Sequence, residues 1–130
     1  MKIAIVGSRG ITCVPLEDYI PPQCTEIVSG GARGVDTCAR EYALKHGIKL
    51  TEFLPDYDRY GRVAPLKRND LIVAHADTVY AFWDGTSRGT LYTLRKCHEL
   101  GKPWRLFRTL RRANPSLYAS LPEGGVTATR

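Results

Sequence analysis

Three segments of this 130-residue chain combine glycine with groups that can hold an anion: Gly7-Ser8-Arg9-Gly10, Gly30-Gly31-Ala32-Arg33-Gly34-Val35-Asp36 and Asp84-Gly85-Thr86-Ser87-Arg88-Gly89-Thr90. Glycine lets a backbone come close to a ligand, and the free amides at a helix start attract negative charge. The guanidinium forks of Arg33 and Arg88 match phosphate or carboxylate, unless they are solvated surface charges. Ser87 and Thr90 either cap a helix or give a hydroxyl to a phosphate. Asp36 either complements a helix dipole or reaches a ribose hydroxyl. Each loop alone also reads as a tight strand-to-helix turn. Together they point to one binding crevice.

The elements that would position these loops alternate along the chain. Lys2 to Ser8 is an apolar, β-branched run ending in a glycine turn, which predicts a first strand. Prolines at 15, 21 and 22 leave room for one short helix near Leu16 to Ile20, before a second strand at Glu26-Ile27-Val28-Ser29. Val35, Cys38, Ala39, Tyr42 and Ala43 fall on one helical stripe, and Gly47 is a suitable stop. Ile48 to Phe53 predicts a third strand, and Pro55 to about Pro65 a long loop. In that loop Tyr57, Arg59, Tyr60 and Gly61 are either a binding lid or surface decoration. A third helix from Pro65 or Leu66 to His75 carries Lys67, Arg68 and Asn69. Thr78 to Trp83 is the clearest fourth strand. A helix follows with Leu91, Leu94, Cys97 and His98 facing inward, Gly101 ends it, and Pro103 to Phe107 gives a fifth strand.

This alternation predicts an α/β, Rossmann-like, three-layer doubly wound sheet of about five parallel strands in the order 3-2-1-4-5. In such a sheet the ligand crevice opens at the carboxyl ends of the first and fourth strands, where all three glycine loops would meet. Residues 1–107 form the domain, and residues 108–130, with Arg108, Arg111, Arg112 and Arg130 against Glu123, form a basic tail. That tail supplies half of the net charge of +6, so the body is only mildly basic and argues weakly for an extended nucleic-acid surface. The four cysteines, at 13, 24, 38 and 97, form no CxxC pair and read as reduced structural thiols, with no metal site. Lacking a signal-like or membrane-spanning run, the protein is expected to be cytoplasmic and not membrane-bound.

The ordered set Val6-Gly7-Ser8-Arg9, Ser29 to Asp36, Pro55-Asp56-Tyr57 with Tyr60-Gly61, Arg68-Asn69, and Ala81 to Gly85 through Ser87, Gly89 and Thr90 resembles the SLOG superfamily, which joins the Smf/DprA and LOG proteins. The likeness spans residues 2–107 and is greatest to the short bacterial and phage branch. It implies a Rossmann-like domain, often homodimeric, that binds nucleotides or nucleotide-derived molecules. Some relatives cleave nucleoside monophosphates, whereas others bind single-stranded DNA or sense ADP-ribose-derived signals. The enzymatic LOG branch carries Pro-Gly-Gly-x-Gly-Thr-x-x-Glu and a helix arginine. Gly89, Thr90 and Arg68 match, but Thr93 stands where the catalytic glutamate would be, and a threonine hydroxyl cannot stabilise an oxocarbenium-like centre.

The expected function is binding of a nucleotide or ADP-ribose-like phosphate ligand, as a sensor or carrier that requires no cofactor. The phosphate would lie on the amides of Gly31 to Gly34 and of Gly89 and Thr90, with Arg33, Arg68 and Arg88 as charge partners. Gly7, Ser8, Arg9, Gly30, Ala32, Asp36, Asn69, Asp84, Gly85 and Ser87 complete the expected ligand-binding set. The alternative is a nucleoside 5′-monophosphate phosphoribohydrolase with a departed catalytic motif, for which Asp36 or Asp84 would have to supply the carboxylate. Binding of single-stranded nucleic acid ranks behind both.

Overall fold

Along β1 (Lys2–Gly7), Ile3 and Ile5 are buried against one face of the sheet and Ala4 and Val6 against the other. A strand covered on both sides has helices above and below it, and two separate cores result. In the computed structural model, which describes residues 1–12, 14–108 and the backbone of 126–129, one core packs α1 (Val35–His46) and the turn Leu16–Asp18 onto the sheet. The other packs α3 (Ala64–His75) and α4 (Arg88–Glu99) onto the opposite face. The remaining elements are β2 (Glu26–Ser29), β3 (Lys49–Glu52), α2 (Tyr57–Tyr60), β4 (Thr78–Trp83), β5 (Trp104–Arg108) and β6 (Val126–Thr129).

All strand pairs are parallel and the order is β3-β2-β1-β4-β5-β6. The expected order 3-2-1-4-5 is therefore present, and β6, from the segment read as a tail, adds a sixth strand beside β5. The rest of the expected tail, residues 109–125 and 130, lies outside the described residues, as does Cys13. From β1 the chain winds outward to β3 with α1 on one face; α3 then returns it across the other face to β4. β1 and β4, paired from Ile3 opposite Thr78 to Gly7 opposite Phe82, are thus the switch point.

Two local expectations need correction. The stretch 55–65 is not simply a loop: it holds α2, whose start is fastened by Asp56 Oδ1 accepting the Arg59 amide at 3.2 Å, and a 3-10 turn at Gly61–Val63. His98 is exposed, so Leu91, Leu94 and Cys97, with Thr93, make the inner face of α4. Cys24 and Cys97 are buried and Cys38 half-buried, all as free thiols. Burial pushes the Cys97 thiol up to about 12 and keeps it protonated.

Helix α1 starts from Gly34, whose φ of +78° few side chains tolerate, and a Cβ there would lie 2.5 Å from the Arg9 carbonyl oxygen. The loops after β1 and β2 are therefore in backbone contact. Gly34→Ala is expected to cost about 2–3 kcal/mol of unfolding free energy in a urea titration. A loss below about 0.5 kcal/mol would contradict this contact.

Candidate functional site

The loops after β1, β2 and β4 meet at the carboxyl edge of the sheet and surround a cleft of about 420 Å³. Of the expected site residues, Gly7, Ser8, Arg9, Ala32, Asp36, Arg68, Asn69, Asp84, Ser87, Gly89 and Thr90 line it. A second cleft, of about 460 Å³, shares Arg9, Ala32 and Arg68 with the first and adds Gly30, Gly31, Arg33, Pro55 and Tyr57. Three expected residues line neither. Gly34 and Gly85 serve the turns, Gly85 buried at φ +89°, and Arg88, in the first turn of α4, is exposed elsewhere.

Arg68 is 7% exposed where the two clefts join. Its guanidinium donates to the Gly30 carbonyl at 2.5 Å and to the Pro65 carbonyl at 3.3 Å. The guanidinium lies close over Gly30, where a Cβ would come 2.8 Å from Arg68 Cζ and displace it. On the other side of the same loop, Asp36 Oδ2 accepts the Ala32 amide at 3.0 Å. The segment 30–32 is thus held by a cation through its carbonyl and by a carboxylate through its amide. Burial raises the Asp36 pKa, outweighing the Ala32 hydrogen bond and the nearby Arg68 charge. Burial also lowers that of Arg68, outweighing the attraction of Asp36. Desolvation outweighs the mutual attraction at both groups, and each orders the loop through its own backbone hydrogen bond, to Ala32 or to Gly30.

At the opposite end, Ser87 caps α4: its Oγ accepts the Thr90 amide at 3.3 Å and the Thr90 hydroxyl at 3.2 Å. Ser8, 2% exposed, accepts the Asp84 amide at 3.1 Å. Ser87 Oγ already accepts twice, so the remaining capacity of that hydroxyl is to donate, whereas the Ser8 hydroxyl also bonds the Asp84 carboxyl. The Gly89 amide, in the first turn, has no acceptor within the helix. Asp84 is a loop fastener, with Oδ1 accepting the amides of Thr86 at 2.8 Å and Ser87 at 3.0 Å. Desolvation pushes its carboxyl up, but these hydrogen bonds prevail and hold it below the usual range.

The expected amide cradle needs revision, since the Ala32 and Thr90 amides are spent on Asp36 and Ser87. The reading also missed the wall formed by Pro65, Leu66 and Ile72. Pro65, Arg68, Asn69 and Ile72 are spaced i, i+3, i+4, i+7, so one face of α3 turns toward the cleft. An arginine and an asparagine on an otherwise apolar stripe were the available signal. Among the described residues no group of three His, Cys, Asp or Glu could hold a metal ion, and no helix is long and apolar enough to cross a membrane.

Residues 1–57 match the family described as DNA recombination-mediator protein A. The whole chain superposes on DNA processing protein A (DprA) from Streptococcus pneumoniae with a TM-score of 0.66 at 22% identity, covering 98% of this chain and 58% of that one. It also superposes on DNA processing protein A from Helicobacter pylori, whose structure is described for its single-stranded DNA binding mode, with a TM-score of 0.65 at 25% identity, covering 96% and 74%. Residues 1–57 thus resemble that family, and the fold is the one these two solved structures share. Gene 61 protein of Mycobacterium phage D29 is 35% identical over 83 residues, 59% of this chain and 66% of the phage protein. The chain thus spans just under two thirds of the phage protein and 58% of the Streptococcus one.

The Thr93 hydroxyl, at the position that the resemblance assigns to the LOG glutamate, is 1% exposed and donates to the Gly89 carbonyl at 3.0 Å. The cleft carboxylates are Asp36 and Asp84, and both are engaged in holding loops.

The raised Asp36 pKa sets a direction for stability against pH. The folded chain binds this proton more tightly than the unfolded one, so Asp36's contribution is fully present below the unfolded pKa and is lost as pH rises through the folded one. Asp36→Asn cannot titrate. In urea titrations across pH, wild type should lose stability relative to this variant from the ordinary value of 3.8 upward, then run parallel to it once Asp36 is ionised. Parallel curves throughout, or the opposite slope, would contradict the burial of this carboxyl.

Proposed function

We propose that the carboxyl edge of the sheet binds single-stranded nucleic acid, with phosphates held at Arg9, Arg33 and Arg68. The observation that carries this reading is the pair of clefts, of about 420 and 460 Å³, that share Arg9, Ala32 and Arg68, so that a strand can run from one into the other. Arg68 is fixed in place by the Gly30 and Pro65 carbonyls, whereas Arg9 and Arg33 are exposed at the rim and can settle onto a passing backbone. The donor hydroxyl of Ser87 and the Gly89 amide suit a further phosphate or sugar oxygen. Leu66 and Ile72 offer an apolar wall to a sugar or base. The Helicobacter relative described by its single-stranded DNA binding adds support. These points reverse the ranking from sequence, which put a small nucleotide ligand first.

Fluorescence anisotropy with a labelled oligothymidylate tests the proposal. Arg9→Ala and Arg33→Ala should each weaken binding about tenfold at low salt. Each should also reduce the slope of log affinity against log salt by about 0.7, the share of one single-strand phosphate contact. An oligonucleotide that does not bind, or binds with a slope indifferent to both changes, would refute the reading. If nucleoside monophosphates bind tightly and oligonucleotides do not, the ligand is instead a free nucleotide.

A further inference from the structure

The second cleft has a composition the first lacks. Its lining includes Tyr57, a residue 55% exposed, together with Arg33 and Pro55. Tyr57 stands on α2, the short helix fixed by the Asp56 cap, so its position is set by backbone hydrogen bonds. The neighbouring ring, Tyr60, is already covered by cations, with Arg59 at 5.1 Å and Lys67 at 6.0 Å from its centroid. Between the clefts lies the Arg68 guanidinium. An aromatic face beyond a fixed cation is the arrangement that a base and its adjoining phosphodiester require.

We infer that the second cleft is a base-stacking subsite: the phosphodiester between two nucleotides lies at Arg68 and Arg9, one nucleoside occupies the first cleft, and the next base stacks on Tyr57. The inference rests on the proposed function and names the ligand unit, which is a dinucleotide step. Stacking tolerates any base because every base has a π face, so the subsite confers strand binding with little sequence preference. The exposed Arg33 lines the same cleft and takes the following phosphate.

Calorimetric titrations with thymidine monophosphate, the dinucleotide pTpT and a hexathymidylate test this. The wild-type chain should bind pTpT at least about tenfold more tightly than the monophosphate, or bind pTpT where the monophosphate is undetected. Tyr57→Ala should weaken pTpT and hexathymidylate by at least about fivefold and leave the monophosphate unchanged, and Tyr57→Trp should restore the affinity. Circular dichroism of both variants checks that the fold is intact. Equal affinities for monophosphate and dinucleotide, or an unaltered pTpT affinity in Tyr57→Ala, would overturn the subsite while leaving phosphate binding standing. Failure of all three ligands to bind the wild type would overturn both the subsite and the proposed function.

Discussion

A parallel sheet brings the carboxyl ends of all its strands to one edge, and where successive crossovers leave for opposite faces the backbone cannot close the gap between them. In this chain that gap lies between β1 and β4, because α1 covers one face on the way out to β3 and α3 returns across the other. Everything at the site follows from it. The loops after β1, β2 and β4 are glycine-bearing, those after β2 and β4 lead directly into α1 and α4, and all three meet because β2 and β4 flank β1. The contact between Gly34 and the Arg9 carbonyl shows how close two of these loops come.

Two charged groups, Arg68 and Asp36, hold the loop that borders this gap. Both are desolvated, and burial shifts each toward its neutral form. Buried charges of this kind are a weak source of stability. Their structural effect is to fix the segment 30–32 from both sides, through the Gly30 carbonyl and the Ala32 amide. The cation is consequently already in position when an anion arrives, and little side-chain order has to be gained on binding. The cation that lines both clefts thus also holds the loop that shapes them.

Much of the fold was legible in the letters, and the reason is burial. β2 and β4 are covered on both faces, so Glu26–Ser29 and Thr78–Trp83 stand out as compact strand-forming runs between turn signals. The stripe of α1 and its Gly47 stop were equally plain, and Gly47 does take a left-handed conformation at the end of that helix. β6 was hidden because Val126–Thr129 is only four residues long and lies at the sheet edge, where little periodicity is imposed. α2 was hidden because a single turn held by an Asp cap has the composition of a loop. At the site, the meeting of the loops was readable, but the direction of each side chain was not. Arg88 and Arg9 look alike in sequence, yet one begins α4 away from the cleft and the other lines it. The contribution of α3 was only half seen, since Arg68 was noticed and the wall of Pro65, Leu66 and Ile72 was not.

The central claim is that one edge of the sheet receives the ligand. Amide chemical-shift mapping by NMR during titration with a short oligothymidylate addresses it residue by residue. The account predicts that the largest changes fall together in residues 7–10, 30–36 and 87–90 and on the cleft-facing side of α3. Changes confined to the opposite edge, around Thr25, Asp77 and Lys102, with these loops unmoved, would contradict it.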